Sequence, residues 1–243
     1  MADPREPSTD VRRQALALLR SLERKGIRSV HMGASGGAEN GGARSGGAAP
    51  LGEVRASDLT ELEAVRAEVA ACTRCALHEA RTQTVFGVGD PRAQILFIGE
   101  APGRDEDRQG EPFVGRAGQL LNKILAAMAL RREAVYITNI LKCRPPNNRD
   151  PQESEVRCCE DYLKRQIALI QPRAICALGR IAAQWLLRTN APLAALRTGE
   201  YQYEGIPVVS TYHPAALLRN PEFKKPCWED MKKLKALVES AGA

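Results

Sequence analysis

The amino-acid sequence predicts an α/β fold: a three-layer α-β-α sandwich around a central four-stranded parallel sheet. Three observations carry this expectation. Apolar runs of strand length recur at residues 94–98, 135–138, 174–178 and 207–210. Stretches of helical periodicity separate them, and strands joined through helices run parallel with helices covering both faces. A hydrophobic share of 44% over 243 residues suffices for a substantial core, yet no apolar run is long enough to cross a membrane.

The elements follow in order. Val11–Lys25 has helical spacing and breaks at Gly26, while residues 31–51 are mostly Gly, Ala, Ser and Asn and read as a flexible linker. Residues 1–55 are therefore expected to be an extension, and residues 56–243 the domain. From Asp58 a helix with Leu59, Leu62, Val65 and Val69 leads to Cys72. The strand at 94–98 opens into a Gly-rich loop and then a helix from about Arg116 to Met128. After the strand at 135–138 comes a loop ending in Asp150-Pro151-Gln152-Glu153, where Asp can cap, Pro can open the first turn and Glu can close a capping box. That helix runs to Ile170, with Pro172 just beyond. The strand 174–178, a helix to Leu187, the strand 207–210 and a C-terminal helix ending near Glu239 complete the chain.

Charge and cysteine usage narrow the function classes. Thirty-five Lys and Arg against 29 Asp and Glu give a net charge of +6, which suits a polyanionic partner. The N-terminus lacks the basic and then apolar regions of a secretory signal, so seven cysteines are expected to be reduced and available to metal. No membrane association and a cytoplasmic setting follow as expectations.

In a parallel sheet the functional loops lie at the carboxyl ends of the strands. That rule selects residues 99–118, 139–149 and 211–220. The first, GEAPGRDEDRQGEPFVGRAG, lacks both the GK[ST] of a phosphate loop and the spacing of a dinucleotide fingerprint. Its acids Glu100, Asp105, Glu106 and Asp107 would repel a phosphate, so a neutral ligand suits it better. Phe113 in this loop is either a core plug or a stacking platform. Asn139 opens the second loop, and its amide presents a donor and an acceptor together, which suits the edge of a nucleobase as well as a cap. His213 precedes Pro214 in the third loop, and Leu217, Leu218 and Arg219 beyond it form either a short helix packed on the core or a wedge for a base stack.

Cys72-x2-Cys75 with a distant second set, Cys143 and Cys158-Cys159, fits zinc or an iron–sulfur cluster, since both accept four thiolates. Adjacent helical residues point about 100° apart, so one of Cys158 and Cys159 is expected to be a ligand. Cys176 and Cys227 read as packing residues.

Together the C-x2-C, the loop 99–118, TNILKCRPPNNRDPQESEVRCC and HPAALLRNP resemble the family 4 uracil-DNA glycosylases, over roughly residues 58–240. The resemblance implies a uracil-DNA glycosylase-like fold that hydrolyses the N-glycosidic bond of deoxyuridine in double- or single-stranded DNA and leaves an abasic site. It implies a [4Fe–4S] cluster on Cys72, Cys75, Cys143 and Cys159, the last selected because the family's fourth Cys follows by four residues the Glu matching Glu155. The cluster would tie the N-terminal helical segment to the middle of the domain.

By the same resemblance Phe113 stacks on the uracil, Asn139 reads its edge and His213 donates at O2. Leu217, Leu218 and Arg219 form the wedge. Ala101 and Glu106 belong to the uracil pocket. Family 1 enzymes carry an Asp at the position of Ala101, so Glu100 is expected to serve the water here. A covalent relative has a His-bearing insertion where this chain has NNRDP, so no covalent adduct with DNA is expected. The protein is expected to act as a cytoplasmic, nucleoid-associated monomer. The competing expectation is a non-catalytic iron–sulfur module that binds nucleic acid.

Overall fold

Successive side chains of one strand enter two different cores. In strand β2 (Ile95–Gly99), Ile95 and Phe97 join Leu121, Leu125, Met231 and Leu234, whereas Leu96 and Ile98 join Leu62, Val65, Val69, Tyr162 and Ile167. The sheet is thus covered on both faces, which makes three layers. A computed structural model describes residues 54–240, and what was expected of residues 1–53 lies outside the described residues.

The chain enters through helix α1 (Ala56–Ala70) and the single turn α2 (Leu77–Ala80). Strand β1 (Val88–Gly89) precedes β2, after which come α3 (Arg104–Gln109) and α4 (Arg116–Ala127). Strand β3 (Tyr136–Asn139), helix α5 (Glu153–Ile170), strand β4 (Ala174–Leu178) and helices α6 (Arg180–Leu186) and α7 (Leu193–Thr198) follow. Strands β5 (Tyr201–Tyr203) and β6 (Ile206–Thr211), the short helix α8 (Pro214–Arg219) and α9 (Lys224–Ser240) end the described chain.

The sheet has six strands in the order β1-β3-β2-β4-β6-β5, not the four expected. The four expected strands form its interior and pair in parallel, while β1 and β5 add antiparallel edges, so the sheet is mixed. Both edges are two or three residues long and half-buried on at least one position, too short for periodicity to register. The start of α5 also differs from expectation. Gln152 is the cap and the box is closed by Glu155, whose Oε2 accepts the Gln152 N–H at 2.8 Å. Asp150 instead faces Arg180 at 3.2 Å.

At the far end of β6 one buried carboxylate gathers three elements. Asp230 of α9 accepts from Thr211 Oγ1 at 2.8 Å and from Arg197 Nε of α7 at 2.7 Å. Asp230 is 1% exposed, so its removal strands a guanidinium and a hydroxyl in a dry site. Asp230→Ala is expected to lower the unfolding free energy by about 3–5 kcal/mol, measured by urea denaturation.

Candidate active site

A cavity of about 400 Å³ opens at the carboxyl ends of the strands. Its wall includes Glu100, Ala101, Glu106, Phe113, Asn139, His213 and Arg219. Seven residues singled out from three separate loops therefore share one site.

Asn139 ends β3 directly beside Gly99 of β2. The pairing continues past the strand ends, because Ile140 N–H donates to Gly99 O and Leu141 N–H to Glu100 O, each at 3.0 Å. Behind Asn139 the buried Lys142 ammonium donates to Asn139 O at 2.7 Å, Thr138 Oγ1 at 2.7 Å and Gln166 Oε1 at 2.6 Å. These bonds hold the backbone and leave the Asn139 side-chain amide without a partner among the described residues. A Cβ on Gly99 would fall 2.3 Å from Asn139 Oδ1 and 2.6 Å from Phe113 Cζ, so only glycine allows the two to meet.

Phe113 is buried, with a left-handed φ of 55°. That strained turn is held from three sides. Arg132 donates to Pro112 O at 2.5 Å and to Phe113 O at 3.3 Å. Glu106 Oε1 accepts the N–H groups of Val114 and Gly115, each at 3.1 Å. Gly118 passes so close that a Cβ there would lie 1.7 Å from Phe113 O. Two acids of this loop thus serve as internal braces, Glu106 as above and Asp107, which is buried and accepts the Thr82 N–H at 2.9 Å.

His213 caps α8, and the Ala215 N–H donates to its Nδ1 at 3.1 Å. A ring nitrogen that accepts carries no proton, so the proton sits on Nε2. Burial, and secondarily the Arg219 charge, push the His213 pKa down to about 4. The imidazole is therefore neutral at ordinary pH. Its ring lies 5.4 Å from that of Phe113, and Gly179, at φ +97°, approaches its Cβ from behind.

Glu100 behaves oppositely. Burial, then the nearby Asp150 charge, raise its pKa to about 7, with Arg180 opposing. A carboxyl group poised there exchanges protons near neutrality, as a base or water-orienting group must.

Of the expected wedge, Leu217 turns inward and is 2% exposed, whereas Leu218 is 42% exposed and Arg219 is also exposed. This corrects the expectation for Leu217: α8 is one short helix packed on its inner face, and a helix sends adjacent side chains in different directions.

The cysteines converge on a second, smaller cavity, lined by Cys72, Cys75, Cys143, Cys158, Cys159, Lys142 and Arg81. None of these cysteines forms a disulfide among the described residues. Arg81 Nη1 donates to Cys143 Sγ at 3.2 Å and to Cys72 O at 2.7 Å. Cys158 points its thiol at Arg74 O, 3.4 Å away. No three His, Cys, Asp or Glu among the described residues lie close enough together to hold a single ion.

Sequence reasoning missed Pro145, Asn148 and Arg149, which also line the main cavity. Asn147 and Asn148 adopt φ of 55° and 54°, a tight turn that the Asn pair after two prolines could have signalled. Arg149 reaches the wall while bonded to Glu155 by both guanidinium nitrogens, at 2.5 and 2.9 Å.

Comparison with known proteins shows the family of the chain. Residues 86–232 match the family model described as the uracil DNA glycosylase superfamily. The chain is 46% identical to the type-4 uracil-DNA glycosylase of Archaeoglobus fulgidus over 184 residues, covering 72% of this chain and 92% of that protein. It is 41% identical to the type-4 enzyme of Thermotoga maritima over 185 residues, covering 74% and 96%. Similarity to the type-5 uracil-DNA glycosylase of Pyrobaculum aerophilum is lower, 34% over 146 residues, covering 53% and 64%. No helix of the described residues is long and apolar enough to cross a membrane. With the matched span containing every wall residue of the cavity, the chain belongs to the type-4 uracil-DNA glycosylase family.

Proposed function

We propose that the protein is a DNA repair hydrolase that cleaves the N-glycosidic bond of deoxyuridine, releasing uracil and leaving an abasic site. The observation that carries this is the neutral His213, with Nε2–H unpartnered among the described residues, facing the same cavity as the free Asn139 amide and the Phe113 ring.

A duplex hides the glycosidic bond, so the nucleotide must leave the stack before it reacts. In the cavity Phe113 covers the uracil face. The Asn139 amide accepts from N3–H and donates to O4. Cytosine presents the reverse pattern and would leave buried polar groups unpaired. Bond cleavage places negative charge on the departing base, and His213 Nε2–H donates to O2 as that charge grows. Neutrality suits this role, because a neutral donor keeps its proton while still polarising the oxygen. Glu100 orients the attacking water from its partly desolvated position. Ala101 leaves open the space that a carboxylate fills in family 1. Glu106 braces the Phe113 turn. No lysine lines the cavity among the described residues, and Lys142 is engaged behind Asn139, so no Schiff base follows excision.

We further propose a [4Fe–4S] cluster held by Cys72, Cys75, Cys143 and Cys159. The support is that these four cysteines line one small cavity, and a cluster takes four thiolates, one on each iron. The engagement of Cys158 with Arg74 O favours Cys159 as the fourth ligand. When bound, the cluster supplies a structural tie between the end of α1, the end of β3 and α5.

His213→Ala is expected to slow single-turnover excision from a uracil-containing oligonucleotide by about 10²–10³, and loss of the α8 cap to cost about 1 kcal/mol of stability. Acting as a carboxylate, Glu100 loses function as it is protonated below its pKa of about 7. Excision should therefore fall with decreasing pH through neutrality, and Glu100→Gln should remove that limb. His213, with its pKa near 4, adds no step across the same range. Cys159→Ser is expected to abolish bound iron and acid-labile sulfide, assayed on purified protein, while Cys158→Ser retains both. The reverse pattern would reassign the ligand.

A further inference from the structure

The loop that carries both His213 and the exposed Leu218 is pinned at its two ends by one stack of side chains outside the cavity. Tyr212 leaves β6 just before His213, and Phe223 closes the turn just after Arg219. Their rings stack face to face, with centroids 4.2 Å apart and planes 4° from parallel. On the other side, the Arg197 guanidinium lies over the Tyr212 ring at 4.5 Å. Arg197 is itself immobilised, since it donates to both carboxylate oxygens of Asp230 and to Pro226 O at 2.8 Å. Two half-buried aromatic rings, eleven positions apart in the chain, thus close the loop over a fixed cation.

The two functional parts of this loop are not held equally. His213 has restraints of its own in the Ala215 N–H, the Gly179 backbone and the Phe113 ring. Leu218 and Arg219 have fewer: α8 is anchored on its inner side by Leu217, and the turn after it is anchored by Phe223 on Tyr212. Loosening the stack should therefore release the exposed wedge and spare the imidazole.

We propose that Arg197, Tyr212 and Phe223 are positioning residues that set the Leu218–Arg219 wedge for extrusion of uridine from a duplex. None of the three lines the cavity, so none touches the reacting atoms. A wedge is needed only when the base must be taken from a stack, and an unpaired uridine enters without it. The stack thereby governs substrate class: duplex excision depends on it and single-strand excision does not. This rests on reading Leu218 and Arg219 as a wedge, which the family resemblance implies and their exposure on α8 supports.

The test compares single-turnover excision by the intact holoprotein from duplex and single-stranded oligonucleotides, with 2-aminopurine beside the uracil reporting extrusion. Phe223→Ala is expected to slow duplex excision and extrusion by about five- to tenfold, as for loss of one aromatic pair, while single-strand excision stays within about twofold. Phe223→Tyr restores the duplex rate, because the stack is rebuilt. Equal loss on both substrates, or loss on neither, overturns the proposal. Single-strand activity also reports that the variant is folded. Leu218→Ala separates the two layers of inference. A selective duplex defect in Leu218→Ala without one in Phe223→Ala leaves the wedge and removes the stack; no selective defect in Leu218→Ala removes both.

Discussion

The site depends on a missing side chain. Gly99 ends the central strand β2, and the space its Cβ would take is occupied by Asn139 from one side and Phe113 from the other. A single added methyl would lie well inside contact distance of both, so it would force apart the two groups proposed to read the edge and the face of a base. The supports around Asn139 and Phe113 act on this meeting point. Lys142 grips the Asn139 carbonyl, while Arg132, Glu106 and Gly118 hold the left-handed Phe113 turn. Such strain persists only where neighbours over-determine it.

Several charged side chains build the site, and the two groups proposed for its chemistry are held neutral or nearly so. Glu106 and Asp107 bind backbone N–H groups, and Asp230 holds Thr211 and Arg197. Within the cavity, burial acts on His213 and Glu100 in opposite directions because it disfavours the charged form of each. The imidazole loses its proton and keeps the Nε2–H; the carboxyl gains one near neutrality. One desolvated wall thus sets up a hydrogen-bond donor and a proton-exchanging group together.

The thiol cavity is mechanically joined to the active site. Cys143 lies four residues beyond Asn139, and the segment from Cys143 to Cys159 supplies Pro145, Asn148 and Arg149 to the cavity wall. Arg149 is bound to Glu155, one turn before Cys159 on α5. The proposed cluster would close this segment into a loop with both ends fixed, at a distance from the reacting atoms. That arrangement suits a staple better than an electron carrier.

Local pattern alone marked out the four interior strands, the three loops at their carboxyl ends, and within them Phe113, Asn139 and His213. Strand-length apolar runs and helical spacing are short-range properties, and the rule that such sheets bind ligands at strand ends converts them into a site. Family resemblance added the roles of these residues and the ligand set. Tertiary structure alone decided what depends on distant neighbours. The edge strand β1 exists by pairing with the distant β3, whereas β5 is the near half of a local hairpin that turns to β6 through Glu204 and Gly205. Which leucine of α8 faces inward, and that Asp107 braces the loop through the Thr82 N–H, turned on partners far along the chain. The same holds for the shifted pKa values of Glu100 and His213, because desolvation is a property of surroundings that no residue's sequence neighbours specify.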